Sequence, residues 1–150
     1  METNIFEQPK NGLLISTDKA KLDLNLIHQH LSTSTYWAQN IPIAIVKKSI
    51  ERSLCFGIYE NKSQVGFARV VTDYATFAWI SDVFVIYTHK GRGLSKWLMD
   101  CIMSHPDMQG LRRWILATRD AHGLYAQYGF KPLEKPEMFM EIMMPNPYDK

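Results

Sequence analysis

The stretch of sequence that decides the fold is Val85-Ile-Tyr-Thr-His-Lys-Gly-Arg-Gly-Leu-Ser-Lys-Trp-Leu-Met99. It begins as an apolar strand, continues as a short basic turn with two glycines, and ends as an amphipathic helix. Five apolar residues at i, i+3, i+4, i+7 and i+8 give the helix one buried stripe: Leu94, Trp97, Leu98, Cys101 and Ile102. Ser104-His105-Pro106 ends this helix, because proline cannot continue it.

The turn between strand and helix is suited to binding a phosphate group. The first N–H groups of a helix have no partner within it, and the helix dipole adds about half a positive charge there. Gly91 and Gly93 lack the Cβ that would keep an anion away, and Lys90, Arg92 and Lys96 add positive charge. The pattern alone is weak, since many strand-to-helix connections contain glycine for steric reasons only. It matches neither the P-loop nor the dinucleotide-binding pattern.

The second half of the chain makes the interpretation more specific. Trp114–Thr118 is predicted to be a buried strand, and residues 119–130 a short helix closed by Gly129. Together with the turn, these segments resemble the acetyl-CoA core of the GNAT N-acetyltransferase superfamily, over about residues 53–143. The family's turn, [Q/R]-x-x-G-x-[G/A], falls on residues 90–95. Its helix A-x-x-x-Y-x-x-x-G-F is matched by Ala121, Tyr125, Gly129 and Phe130.

The resemblance implies an acetyl-CoA site. The pyrophosphate would be held by the turn, which comprises Lys90, Gly91, Arg92, Gly93, Leu94, Ser95 and Lys96. The backbone N–H groups of Phe84 and Val85 would face the pantetheine arm and the thioester carbonyl as an oxyanion hole. Three residues depart from the family pattern: Lys90 replaces Gln or Arg, Ser95 replaces Gly or Ala, and Thr118 replaces an Asn beside the pantetheine arm.

The resemblance also implies a general acid, and the sequence offers two candidate bases. Tyr125 stands where the family protonates the departing CoA thiolate, and a phenol with a pKa of about 10 carries a proton at neutral pH. Asp82 is a carboxylate in an apolar strand, where its alternation places it with Ile80 and Phe84, and a structural carboxylate bonded to a loop is an equally good interpretation. His122 precedes Tyr125 by three residues, although it is equally consistent with an exposed helix residue.

Three aromatic residues are the candidates for binding the acceptor. Tyr36 and Trp37 stand in the Ser/Thr-rich segment 32–42, where no helical or strand period places them in the core. We expect one or both to form the wall against which the acceptor rests, and packing as loop anchors is an interpretation of equal weight. Trp79 and a predicted last strand, Met138–Met144, are the other candidates for this wall.

Length and composition restrict the class of protein. The 150 residues are 46% hydrophobic and 21% charged, which indicates one domain, residues 1–150, with its own core. A net charge of +2 from scattered Lys and Arg argues against a nucleic-acid partner. No signal peptide or membrane-spanning stretch is visible, and Cys55 and Cys101 are predicted to be buried and reduced, as in a cytoplasmic protein. The histidines form no ligand pattern, so no metal is expected.

The remaining elements complete the predicted fold. They are a strand at Gly12–Ser16, a helix from Asp18 that buries Leu22, Leu26, Ile27 and Leu31, a helix at Ala44–Arg52, a hairpin of residues 53–59 and 64–71, and a strand at Thr76–Ile86. This order indicates an α+β (α/β) fold, with a mixed and mostly antiparallel central sheet and helices on both faces.

Three classes of function fit these observations. The leading one is an N-acetyltransferase that moves the acetyl group of acetyl-CoA to a primary amine of a small molecule, amino acid or peptide. The alternatives are a non-catalytic acyl-CoA-binding regulatory module and a nucleotide-binding protein that uses the same turn. Nothing in the sequence identifies the acceptor. We also consider a homodimer, formed through the strand edge near the turn or through the Met-rich C-terminal segment.

Overall fold

The computed structural model describes residues 4–145 and 147–149, and a six-stranded sheet forms its centre. The strands are β1 (Glu7–Lys10), β2 (Leu13–Ser16), β3 (Leu54–Glu60), β4 (Ser63–Thr72), β5 (Phe77–Val85) and β6 (Arg113–Leu116). They lie side by side in sequence order. Each strand from β1 to β4 is antiparallel to the strand that follows it, and β6 is parallel to β5. The predicted mixed, mostly antiparallel sheet is confirmed.

Helices cover both faces of the sheet, as predicted. They are α1 (Leu24–Ser34), α2 (Ile43–Glu51), α3 (Leu94–Ser104) and α4 (His122–Ala126). Alternation along β3 separates the two cores, since Phe56 and Ile58 pack with α3 while Cys55 packs with α1 and α2. The predicted stripe of α3 is buried along its whole length.

The first helix starts later than expected. Asp18 caps only a short 3-10 turn, Lys19–Lys21, where its carboxylate accepts a hydrogen bond from the Ala20 N–H. Helix α1 begins at Leu24, and its cap is Asp23, which accepts from the Leu26 N–H at 3.0 Å. Two capping carboxylates so close in sequence stabilise two separate helical starts rather than one continuous helix.

The ends of the chain depart further from the sequence-based expectation. Strand β1 was not predicted, although Asn11-Gly12, with φ of 51° and 80°, is the dipeptide typical of a tight hairpin turn. The predicted strand Met138–Met144 is wrong. A 3-10 turn, Pro136–Met138, is followed by chain that pairs with no strand of the described residues. Apolar alternation predicts which side chains favour burial, but pairing also needs a free strand edge in register.

Two expectations from composition can be checked in the fold. Cys55 and Cys101 are both buried and free, as predicted. Burial raises the pKa of the Cys55 thiol to about 12, so it stays protonated and unreactive at neutral pH. Within residues 4–145 and 147–149, no helix has the length and apolar character that crossing a membrane requires.

Candidate functional site

The site lies where β5 and β6 separate. The two strands pair over four positions, from Phe77 with Arg113 to Ile80 with Leu116. Beyond these positions β6 has ended, while β5 continues to Val85. Backbone groups of β5 that face β6 therefore open onto a gap instead of a neighbouring strand.

Strand alternation identifies the amides that face this gap. The Ile86 N–H donates to the Val65 carbonyl of β4 at 2.9 Å, so the amides that alternate with it point away from β4. These are Val85 and, two residues earlier, Val83. The same rule turns the Phe84 amide toward β4. Of the two predicted oxyanion-hole residues, Val85 therefore has the required orientation and Phe84 does not, and the sequence-based prediction missed Val83.

A bulge at Asp82 interrupts the regular alternation of amides and side chains along β5. Asp82 has a φ of +54°, and the register between β4 and β5 shifts next to Arg69. Ile80, before the bulge, packs in the core beneath α3, whereas Phe84, after it, packs with α1 and α2. The expectation that these two residues share a face with Asp82 is therefore wrong, because simple alternation does not hold across a bulge.

The carboxylate of Asp82 is fully engaged in the structure. Its Oδ2 accepts a hydrogen bond from Arg69 Nε at 2.8 Å, and its Oδ1 accepts one from Trp37 Nε1 at 2.9 Å. The side chain is only 9% exposed. These contacts tie β4, β5 and the loop after α1 together, which is the arrangement expected of a structural carboxylate bonded to a loop.

The predicted phosphate turn has a shape that only glycine adopts easily. Gly91 and Gly93 have φ of +78° and +76°, and α3 begins directly after them. Among the described residues, no backbone acceptor is found for the N–H groups of residues 91–96. The side chains of Lys90 and Lys96 adjoin the same cavity as these amides. Amides and lysines together form a site for an anion.

Arg92 is directed elsewhere. Its guanidinium lies 3.6 Å from Glu60 at the end of β3, which also bonds His89 Nε2 at 3.0 Å. The hydrogen bond with His89 is the main reason that the pKa of Glu60 lies below its ordinary value. Arg92 does not line the cavity beside the turn. Its contacts fasten the turn to the sheet.

Two cavities adjoin the gap. The first, which we call the phosphate-side cavity, has a volume of about 570 Å³ and extends from the turn to His30 and Phe84. The second, the tyrosine-side cavity, has a volume of about 480 Å³ and is bounded by Trp79, Thr118, Tyr125 and Met143. Both are also lined by Tyr36, Trp37, Val83, Arg119 and Asp120.

The loop after α1 bridges the separated strands. Tyr36 and Trp37 pack edge to face with ring centroids 4.9 Å apart. The Tyr36 hydroxyl accepts the Arg119 N–H at 2.8 Å, and the Arg119 guanidinium lies 3.9 Å from the Tyr36 ring centroid. Because Trp37 bonds Asp82 of β5, the pair joins the two walls of the gap. The two aromatic residues thus anchor the loop and also line both cavities.

Tyr125 has the environment that a proton donor requires. Its side chain is buried, and its hydroxyl makes no hydrogen bond with the described residues. Burial, followed by the influence of Tyr36 and Asp120, raises the pKa of Tyr125 above its ordinary value of 10.0. The phenol is therefore protonated at neutral pH.

Thr118 Oγ1 accepts the Ala121 N–H at 3.0 Å and so helps to start α4.

The histidines are distributed differently from the prediction. His122 is exposed and lines neither cavity. His30, which the sequence did not single out, stacks on Phe84 with ring centroids 3.9 Å apart and an interplanar angle of 11°. Burial, and secondarily the charge of Lys90, lowers the pKa of His30 from 6.5. Its position one helical turn after the buried Ile27 is the signal that could have indicated an inward-facing histidine.

Comparisons with known proteins agree with this geometry. A family model described as an acetyltransferase (GNAT) domain matches residues 51–132, more than half of the chain. A Gibberella zeae protein provisionally named an acetyltransferase is 30% identical in an alignment of 140 residues, covering 79% of this chain and 78% of that protein. In the crystal structure of a Xanthomonas campestris protein provisionally assigned to the GNAT acetyltransferases, identity is 54% and the TM-score 0.91, over 95% of this chain and 100% of that one.

A more distant structure shares the fold alone. It is a GNAT family acetyltransferase from Elizabethkingia anophelis with acetyl-CoA bound, with a TM-score of 0.62 and 12% identity over 91% of each chain. Within the described part of this chain, no group of three or more His, Cys, Asp or Glu side chains is placed to hold a metal ion. By its family model, its relatives and its fold, the chain belongs to the GNAT superfamily of N-acetyltransferases.

Proposed function

We propose that this protein transfers the acetyl group of acetyl-CoA to a primary amine of a small molecule, amino acid or peptide. One observation carries the proposal: the phosphate turn, the free amides of β5 and the buried phenol of Tyr125 all border the same gap between β5 and β6. A pyrophosphate site, an oxyanion site and a proton donor are the three parts that acyl transfer from a CoA thioester requires.

The residues present are compatible with acetyl-CoA. The N–H groups of residues 91–96 and the side chains of Lys90 and Lys96 would hold the pyrophosphate, because both kinds of group favour an anion. The Val83 and Val85 amides would bond the pantetheine arm and the thioester carbonyl. Acetyl-CoA supplies the activated acetyl group. The bound acetyl-CoA in the Elizabethkingia anophelis relative supports the same ligand here.

The chain's own residues can move both protons of the reaction. The amine nitrogen forms a bond to the acetyl carbon, and the bond between that carbon and the CoA sulfur breaks. The β5 amides stabilise the charge on the carbonyl oxygen during this exchange. Tyr125 gives its proton to the departing sulfur, and a base must take one from the amine.

We assign the base to His30 rather than to Asp82 or His122. Both oxygens of Asp82 are engaged by Arg69 and Trp37, and His122 is exposed and lines neither cavity. The His30 ring lines the phosphate-side cavity, stacked on Phe84 between Val83 and Val85. The charged or titratable groups that share this cavity are His89, Lys90, Lys96, Arg119 and Asp120. Burial, and secondarily the charge of Lys90, lowers the pKa of His30 and so favours neutral His30, the form that accepts a proton.

The assignment of His30 predicts a particular pH dependence. Because the pKa of His30 lies below 6.5, its neutral form predominates at pH 7 and is lost as the pH falls through that pKa. The plot of log(kcat/KM) against pH should therefore steepen in this acidic range, and the steepening should disappear in His30→Gln, with kcat/KM about 100-fold lower at pH 7. His122→Gln is the matched control. A steepening that persists in His30→Gln would exclude His30 as the base.

An amine-panel assay tests the proposed function. The protein is incubated with acetyl-CoA and single amines, while CoA release and the product mass are followed. We expect acetylated product with at least one amine. Acetyl-CoA binding without transfer to any amine would favour the regulatory module, and binding of ATP but not acetyl-CoA would favour the nucleotide-binding protein.

A further inference from the structure

The segment that starts at the last residue of the 3-10 turn Pro136–Met138 exposes a row of apolar side chains. We call residues 138–144 the tail. Its four even-numbered side chains, which would share one side of the segment in a strand, are all apolar and largely exposed: Met138, Met140, Ile142 and Met144. Met140 and Ile142 are each 98% exposed. A monomer rarely leaves such a row in water, so the tail has the character of half of an interface.

The sheet has an unpaired edge beside the tail. β6 is the last strand in the order, and in the described ranges 4–145 and 147–149 nothing pairs with its outer side. A groove of about 710 Å³ runs along this edge, between Arg113–Ile115 and the segment 128–135. An exposed strand edge with a groove beside it is a template for one more strand.

The tail touches the groove only at its beginning. The Phe139 ring lies 5.0 Å from the Arg113 guanidinium, and Met138 and Phe139 line one end of the groove. Phe139 donates its N–H back to Pro136, but from residue 140 to 145 no backbone hydrogen bond to any other described residue is found. Each copy of the chain thus has a segment with strand-like alternation but no pairing partner, and a sheet edge without a neighbouring strand.

The charges of tail and groove are complementary. Glu141 is the only charged residue of the tail. The groove is lined by Arg112, Arg113, Lys131 and Lys135, with Glu134 as the single acid. An apolar segment with one carboxylate is complementary to a groove with excess positive charge. The tail of a second copy is therefore a suitable occupant of the groove.

We propose that two copies of this chain form a dimer in which the tail of each adds to the β6 edge of the other. A two-fold axis lets one arrangement pair both tails with both free edges, because each contact occurs twice. The even-numbered row is then covered, and Glu141 meets the basic groove of the partner. This inference concerns assembly and does not depend on the proposed reaction.

The oligomeric state of point variants tests the dimer. By sedimentation equilibrium at about 50 μM, the wild-type protein should have twice the chain mass of 17.4 kDa. Ile142→Asp should raise the dimer dissociation constant roughly 100-fold, because each copy contributes the change once. Ile142 is almost wholly exposed in one copy, so the substitution does not disturb that copy's fold. Ile45→Asp, which alters an exposed isoleucine of α2, is the control and should remain dimeric.

A cross-linking experiment separates exchange from closure within one chain. Met140→Cys and Lys131→Cys are prepared as separate variants, mixed and oxidised, since the native Cys55 and Cys101 are buried. A disulfide between the two variants supports the exchange. A chain that carries both substitutions is oxidised in parallel. A wild-type monomer, an Ile142→Asp dimer as stable as the wild type, or a disulfide that forms only inside this doubly substituted chain would each overturn the proposal.

Discussion

The two strands that border the gap are held in very different ways. β5 pairs with β4 along most of its length, and Asp82 fastens it to Arg69 and to Trp37. β6 pairs with β5 over four residues, and its other side is without a strand in the part of the chain that the structure describes. The wall that carries the proposed oxyanion-hole amides is therefore held by its pairing with β4 and by the contacts of Asp82, while the wall that carries Thr118 and Tyr125 is short and open. This difference indicates that β5, rather than β6, is the strand that can hold groups at the gap in precise positions.

The largest effect should follow from loosening β5. Arg69→Met leaves the buried carboxylate of Asp82 without its cation, and we expect the free energy of unfolding to fall by about 3 kcal/mol. Chemical denaturation measures the change. Lys21→Met removes an exposed ion pair with Glu7, whose atoms are 3.8 Å apart, and should cost less than about 1 kcal/mol. Equal losses in the two variants would show that the Asp82 contacts do not hold β5.

A substitution on the β6 side of the gap should have a comparably large effect, but on turnover and not on stability. Tyr125→Phe removes the proposed donor and should lower kcat by about 100-fold while the acetyl-CoA dissociation constant stays unchanged. Tyr128→Phe is the matched control. Its hydroxyl bonds Asp100 and the Lys96 carbonyl, each at 2.7 Å, and it does not line the tyrosine-side cavity. A weaker acetyl-CoA affinity in Tyr125→Phe, in proportion to the lost turnover, would make Tyr125 a packing residue.

A smaller effect is expected at the loop that joins the two walls. Trp37→Ala removes a ring that lines both cavities, and the KM for the amine should rise roughly tenfold with acetyl-CoA binding intact. Trp37→Phe keeps an aromatic ring but loses the N–H bond to Asp82. If the ring is the wall, Trp37→Phe should retain most of the amine affinity. Unchanged amine kinetics in Trp37→Ala would indicate that Trp79, and not Trp37, forms the wall of the acceptor site.

The sequence predicted those parts of the fold that depend on neighbouring residues. Helix α3, the hairpin of β3 and β4, and the glycine turn follow from local periodicity and turn chemistry. Tyr36 and Trp37 were expected either as an acceptor wall or as loop anchors; they line both cavities, and their role in acceptor binding stays a prediction. These features need little information from distant parts of the chain.

The parts that could not be predicted depend on contacts distant in sequence. The bulge at Asp82 requires Arg69 and Trp37 to meet it, and only this bulge decides that Val83 and not Phe84 faces the gap. His30 reaches the cavity because α1 packs on Phe84. The residues 138–144 have the alternation of a strand, but their single chain offers no pairing partner, which a sequence pattern does not reveal.

The most direct test of the account is calorimetric titration of acetyl-CoA into the wild-type protein, Gly93→Val and Gly110→Val. Gly93 and Gly110 have φ of +76° and +80° with no atom near an added Cβ, so the two substitutions impose similar backbone strain. Only Gly93 lies at the gap. We predict one acetyl-CoA site per chain, at least tenfold weaker binding in Gly93→Val, and wild-type binding in Gly110→Val. Equal affinity in all three proteins would contradict the claim that acetyl-CoA binds at the turn between β5 and α3.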